Sequence, residues 1–169
     1  SGGVLASAAI VPVTVPGLLA KARRMLVDPR QPLFVKWSYL PRLLPWLRSY
    51  LAHANQADVG RIASALHGIV GDSLADHQAL SAGTGAERFG IPCDYLYLYR
   101  DRAHFEGDLF GWSVRKAHGI GWVEMEQEAL RSYDPSYGGG IGFAVRLPGH
   151  GRISDPGGYV KALASHLTA

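Results

Sequence analysis

The chain of 169 residues contains a single cysteine, Cys93, and only 18% charged residues. One thiol excludes an internal disulfide framework and a cysteine-based zinc site, and it is typical of a reducing compartment. We therefore expect the protein in the cytoplasm or at its membrane surface. Because Cys93 precedes an aromatic stretch without a basic partner nearby in sequence, we interpret it as a small buried hydrophobic residue rather than a nucleophile.

The charge is too small and too scattered for a nucleic-acid surface. Lys and Arg total 17 against 14 Asp and Glu, which gives a formal net charge of +3. Nucleic-acid binders concentrate basic residues on one face, whereas the short cluster of Lys21, Arg23 and Arg24 is typical of a solvated helix face. We expect no nucleic-acid partner. Hydrophobic residues make up 47% of the chain, which is enough for a sizeable core.

The sequence also lacks a long hydrophobic run. No apolar stretch approaches the roughly 20 residues that span a bilayer. The apolar residues 1–16 have no positively charged leading region and contain Pro12 and Pro16, so they do not fit a secretory signal. Because the chain starts without Met inside a glycine-rich stretch, we interpret it as a trimmed piece of a longer protein.

Familiar catalytic motifs are absent as well, including the phosphate loop, HExxH, GxSxG and a GxGxxG that follows a strand. The glycine run at residues 138–142 precedes a predicted strand, so we interpret it as a turn or bulge. No two histidines stand four residues apart on one helix, as paired zinc ligands commonly do. The seven histidines are His53, His67, His77, His104, His118, His150 and His166. We predict no metal site and no catalytic residue in this chain.

The segments that are present run from helices to alternating strands and helices. Apolar spacing predicts helices at residues 17–26, from Pro41 to Leu51, from Val59 to about Ala82 with Asp58 as N-cap, at 101–118, at 126–133, and at 156–167 with Asp155 as N-cap. An extended segment at 31–41, strands at 95–99, 120–125 and 141–147, and a turn at 148–151 complete the pattern. Helices packed on one face of a small, mainly antiparallel sheet satisfy this order, and the predicted fold class is α+β.

Tyr95, Tyr97 and Tyr99 alternate with leucines, which predicts a strand with tyrosines along one face. This face has two interpretations: packing beneath a helix, or a pocket wall whose phenolic donors suit an amino acid or amine. Arginine binds carboxylates in a forked geometry, although a surface ion pair also explains each arginine taken alone. The candidate cations are Arg100, Arg115 and Arg146.

The order of the segments resembles that of FAD-dependent oxidoreductases of the D-amino-acid dehydrogenase and glycine-oxidase-like family. The segments that carry the resemblance are SGGVLASAAIVPVTVPGLLAKA, SYLPRLLPWLRSYL, CDYLYLYRD and GIGFAVRLPGHGRISDPGGYVKALASHL. The first is similar to the family's loop that passes close to the flavin, and the last to its strand that crosses toward the flavin and enters a helix through Asp-Pro. The resemblance covers essentially the whole chain.

The resemblance implies a flavin-proximal loop remnant at residues 1–16 and a substrate-binding domain at residues 17–169. Within that domain, residues 154–169 would lead back toward an FAD-binding domain of the same polypeptide, which we expect outside this chain. FAD is then the cofactor of the parent protein and is not expected in this chain alone. The residues implied to contact it are Ser1, Gly2 and Gly3.

The resemblance also implies a substrate pocket with a wall formed by Tyr97, Tyr99, Arg146 and His150. The family removes a hydride from the α-carbon of an amino acid or amine, reduces FAD and releases an imine that hydrolyses. A D-amino acid, glycine, sarcosine or another secondary amine fits equally well. We expect the chain alone to be inactive and to form a homodimer. The alternative is an independent ligand-binding or interaction module without a redox role.

Overall fold

The computed structural model describes residues 3–17, 37–137 and 139–168. The predicted helix at 17–26 and most of the extended segment at 31–41 lie outside these residues. The chain divides into two compact units. The first comprises Ser1–Ile10 with Leu66–Ala169, and the second comprises Val11–Ala65.

Helices dominate the described part of the second unit. Helix α1 (Leu40–Ala52) starts with Pro41 in its first turn, as predicted, because the missing N–H of proline costs nothing there. Helix α2 (Gln56–Val70) starts three residues before the predicted position. The side-chain oxygen of Asn55 accepts the backbone N–H of Asp58 at 2.9 Å. Asn55, rather than the predicted Asp58, therefore caps this helix.

The first unit is built on a four-stranded antiparallel sheet. Its strands are β1 (Val4–Leu5), β2 (Gly90–Tyr99), β3 (Val123–Glu126) and β4 (Phe143–Ile153). Strand β4 is central: β2 pairs along one side of it, while β1 and β3 pair with its two ends on the other side. The sheet with its packed helices confirms the predicted α+β class.

The predicted turn at residues 148–151 is wrong, because β4 continues through it. Proline has no N–H for a strand ladder, and the sheet accommodates Pro148 with an irregular register opposite Cys93 and Tyr95. Gly149 adopts a φ of 77° at this point, a conformation that glycine tolerates and other residues rarely adopt.

The remaining helices are α3 (Ser73–Ser81), α4 (Arg102–Glu106), α5 (Leu109–Ala117), α6 (Gln127–Tyr133) and α7 (Pro156–Leu167). The helix predicted from Val59 to Ala82 is divided into α2 and α3, and the one predicted at 101–118 into α4 and α5, which are separated by Gly107 and Asp108. The predicted cap of α7 is confirmed, since the Asp155 carboxylate accepts the Gly158 N–H at 3.0 Å.

Apolar residues pack on both faces of the sheet, whereas the sequence predicted helices on one. On the tyrosine face of β2, the buried cluster is Ala8, Phe105, Trp112, Phe143, Val145 and Leu147. On the opposite face, Leu130 of α6 packs with Met125 and Ala144. No helix in the described ranges is both long enough and apolar enough to cross a membrane.

Candidate functional site

The three tyrosines of β2 lie half-buried on one face of the sheet, next to α4 and α5. The packing interpretation of this face therefore holds, and the tyrosine rings form edge-to-face contacts within it. Tyr95 meets Tyr97 with ring centroids 5.3 Å apart, and Tyr97 meets Trp112 at 5.2 Å. Because these rings are half-buried rather than fully buried, the same face also remains available as a pocket wall.

The hydroxyl of Tyr99 is engaged on both sides. It accepts a hydrogen bond from the indole N–H of Trp112 at 2.9 Å and donates one to the Asp108 carboxylate at 3.0 Å. Burial, reinforced by the negative charge of Asp108, raises the pKa of Tyr99 to about 12. Because its proton is donated to Asp108, Tyr99 offers a neighbouring molecule its ring rather than its proton.

Arg115 of α5 is 6% exposed and lies above the tyrosine face. Its Nη2 donates to the Tyr97 hydroxyl at 2.9 Å, and its Nε donates to the backbone carbonyl of Ala8 at 3.2 Å. The guanidinium also stacks over the rings of Trp112 and Tyr97, at 4.6 and 4.9 Å from their centroids. In the part of the chain that the structure describes, no carboxylate forms an ion pair with it.

The Tyr97 hydroxyl accepts the Arg115 hydrogen bond, and among the described residues its own proton has no acceptor. A hydroxyl that receives a bond from a cation is a stronger donor than an unpaired one. Tyr97 is therefore a candidate donor on this face, as is Tyr95, whose hydroxyl has no hydrogen-bond partner among the described residues.

His150 is 3% exposed, and both of its ring nitrogens are engaged within the chain. Its Nε2 accepts the Ala8 backbone N–H at 3.1 Å, which requires the proton to lie on Nδ1. Nδ1 faces the Pro148 carbonyl oxygen at 3.2 Å, and the ring stacks on Tyr95 with centroids 5.8 Å apart. This arrangement leaves no ring nitrogen of His150 for a substrate.

The structure does not bring Arg146 together with the tyrosines. Arg146 pairs with Leu96 across the sheet, so its side chain lies on the opposite face from Tyr97. There its Nη1 donates to the Asp94 carboxylate at 3.0 Å, and the same oxygen accepts the Tyr133 hydroxyl at 3.1 Å. Among the candidate cations it is Arg115 that lies at the tyrosine face.

Sequence reasoning missed Asp108, Trp112 and the backbone of Ala8 as members of this site. Trp112 and Arg115 stand three residues apart on α5, a spacing that puts both on one side of a helix. The sequence signal that could have indicated this site is an arginine, Arg115, on the apolar side of a helix that follows an aromatic strand. No local pattern indicated Ala8, because its partners lie more than 100 residues away.

Of the predicted flavin contacts, Ser1 and Gly2 lie outside the described residues. Gly3 pairs with β4, since the Ile153 N–H donates to its carbonyl oxygen. A Cβ at Gly3 would stand 2.5 Å from the Ile153 carbonyl oxygen, so strand pairing alone accounts for a glycine here. The described residues contain no strand followed by a glycine turn and a helix of the kind that holds a dinucleotide. The three flavin contacts therefore stay a prediction.

A cavity of about 390 Å³ lies in another part of the first unit, beside α3 and α7. Leu5, Leu74 and Ile153 give it apolar walls, and the His77 ring and the Tyr159 hydroxyl meet at its rim, 3.0 Å apart. None of the predicted pocket residues lines it. It is thus separate from the tyrosine face.

Comparison with known proteins agrees with the class of protein that the sequence resembles. The chain is 36% identical, over 174 aligned residues, to a curated D-amino-acid oxidase of Bradyrhizobium diazoefficiens. The alignment covers 100% of this chain and 40% of the oxidase, so the chain spans about two fifths of that relative's length. The predicted relationship to the D-amino-acid oxidase family is confirmed over the whole chain. No protein-family profile matches the chain, and no solved structure matches it significantly.

Proposed function

We propose that the chain forms the substrate-binding part of an FAD-dependent oxidoreductase that acts on an amino acid or amine. The similarity of the whole chain to a D-amino-acid oxidase carries this proposal. Since the chain spans 40% of that relative, the flavin-binding segments are expected elsewhere in the same polypeptide. The bound flavin would take the hydride, while the protein orients the substrate and excludes water.

Within this function, Tyr97 and Tyr99 form part of the pocket wall. The Tyr97 hydroxyl is the proposed donor to the substrate, because Arg115 occupies its acceptor side and leaves its proton available. Tyr99 contributes its ring, since its hydroxyl is bound to Asp108. The other two predicted pocket residues, Arg146 and His150, are not part of the proposed wall, because the first lies on the opposite face and the second is bound to Ala8.

The test uses a protein that contains this chain together with its flavin-binding segments. Oxidation of D-amino acids, glycine, sarcosine and other secondary amines is measured for the parent protein and for Tyr97→Phe. Loss of one hydrogen bond to a charged substrate should raise KM about ten-fold. The control is Tyr133→Phe, which removes a hydroxyl on the opposite face of the sheet and should leave KM unchanged.

Equal KM values for Tyr97→Phe and the parent protein would remove Tyr97 from the pocket. Absence of any oxidation would contradict the enzyme function and favour an interaction module.

Partners and location are further parts of the proposal. A piece of a two-domain protein exposes surface that the rest of the protein would cover, and Val160 and Leu167 of α7 are 62% and 84% exposed. We propose that the chain alone dimerises, and a monomer in light scattering at high concentration would contradict this.

We also propose a cytoplasmic location, at the membrane surface if the electron acceptor is membrane-bound. Fractionation of cells that express the longer protein tests this location.

A further inference from the structure

The segment Gly3–Ile10, here called the N-terminal strap, is fixed to the first unit at two places. At its start, β1 pairs with the end of β4, with Leu5 opposite Gly151. Further along, Ala8 and Ile10 are 2% and 0% exposed. The strap is therefore a buried part of this unit even though it contains only two residues of regular strand.

Two distant side chains hold the peptide groups of one strap residue. The Ala8 N–H donates to Nε2 of His150 at 3.1 Å, and the Ala8 carbonyl oxygen accepts from Nε of Arg115 at 3.2 Å. Neither backbone group has a strand partner, because β1 ends at Leu5. A buried peptide group without a partner is costly, so these two side chains satisfy what the sheet leaves open.

Arg115 in turn depends on the strap for a hydrogen-bond acceptor. The Arg115 guanidinium is buried without a carboxylate partner in the described ranges, and its neighbours are the Ala8 carbonyl, the Tyr97 hydroxyl and two aromatic faces. A buried cation tolerates such a site only if its few acceptors stay in place. Displacement of the strap would remove one of them.

We propose that Arg115 and His150 are positioning residues: they fix the N-terminal strap and, with it, Gly3 at its start. This inference rests on the proposed function and on the predicted contact of Gly3 with the flavin of the longer protein. His150 thus acts on the cofactor through the backbone rather than on the substrate. Arg115 links the strap to Tyr97, so one side chain connects the flavin-proximal segment with the proposed substrate donor.

The test compares His150→Leu, which has no acceptor, with His150→Gln, whose amide oxygen can still accept the Ala8 N–H. Arg115→Met is the second variant, and His104→Leu, at an exposed histidine, is the matched control. In the protein that carries the flavin-binding segments, two quantities are measured: hydrogen exchange of residues 4–10, and the absorption spectrum and reduction potential of the bound flavin. If Arg115→Met does not fold, the comparison of His150→Leu with His150→Gln still tests the proposal.

We expect His150→Leu and Arg115→Met to accelerate exchange of residues 4–10 about ten-fold and to alter the flavin spectrum or potential, while exchange of residues 143–147 stays unchanged. His150→Gln should restore both readouts, and His104→Leu should change neither. Unchanged exchange in the strap would overturn the proposal that Arg115 and His150 fix it. Faster strap exchange with an unchanged flavin spectrum and potential would overturn the positioning role. If the unsubstituted longer protein binds no flavin, the proposed function is contradicted. Hydrogen exchange of the strap would still show whether Arg115 and His150 fix it.

Discussion

The Nη2 atom of Arg115 donates a hydrogen bond of 2.9 Å to the hydroxyl of Tyr97. This contact joins helix α5 to strand β2 at the centre of the aromatic face. The tyrosine keeps a free hydroxyl proton. The Nε atom of Arg115 donates a second hydrogen bond, to the Ala8 carbonyl oxygen in the strap. The face is therefore part of the core and carries a polar group that a substrate could use.

Replacement of Arg115 by Met should lower the free energy of unfolding by about 2 kcal/mol, because the buried Ala8 carbonyl loses its donor. Urea denaturation of the chain measures this. The control Arg61→Met removes an arginine whose side chain is 69% exposed and pairs with Asp58, and it should cost less than about 1 kcal/mol. Equal losses in the two variants would show that Arg115 has no special structural role.

Tyr99 should titrate near pH 12, above the ordinary value of 10.0, because burial and Asp108 both favour its neutral form. Its raised pKa adds stability that is fully present below pH 10 and is lost as the pH rises to about 12. Asp108→Asn should lower this pKa only in part, since burial is the larger cause. Carbon-labelled tyrosine NMR follows the titration, with Asp94→Asn on the opposite face as control. A Tyr99 pKa at its ordinary value would contradict the buried geometry.

Gly142 should not tolerate a side chain. A Cβ there would lie 2.6 Å from the Arg100 carbonyl oxygen, a backbone atom that cannot move away by rotation as a side-chain atom can. Gly142→Ala should therefore lower the free energy of unfolding by about 2 kcal/mol. Gly139→Ala, in the same loop, meets nothing within 4 Å and should change it little. Thermal denaturation compares the two, and similar melting temperatures would count against this close contact.

Asn55 should be the residue that starts helix α2. Asn55→Ala removes the acceptor of the Asp58 N–H and should cost about 1 kcal/mol, whereas Asn55→Ser keeps a capping oxygen and should cost less. Amide exchange in the first turn of α2 reports the loss locally. If Asp58 were the cap, as the sequence predicted, both Asn55 variants would behave like the parent chain.

The sequence predicted the strands and helices well where a periodic pattern reports local structure. The tyrosine alternation of β2 and the Asp155 cap of α7 are examples, since both depend on neighbours in the chain. The helix breaks at Gly71 and Gly107 were missed, because one glycine lowers helix stability without forcing an end. The turn predicted at Pro148 failed because β4 bridges an irregular pairing that only the sheet supplies.

The candidate site was predictable only in part, because side-chain partners depend on the fold. The alternation of β2 placed Tyr97 and Tyr99 on one face correctly. Strand register then decided that Arg146 lies on the other face, and register was not readable before the pairing of β2 with β4 was known. The contacts of His150 with Ala8 span the length of the chain, so no motif could indicate them.

The direct test of the proposed oxidoreductase is anaerobic titration of the longer protein with D-amino acids, glycine and secondary amines. We expect the protein to carry FAD and at least one of these compounds to bleach its absorption, with an imine or keto acid as product. A protein that contains both this chain and its flanking segments, yet binds no flavin or shows no bleaching with any of them, would contradict the proposed oxidoreductase.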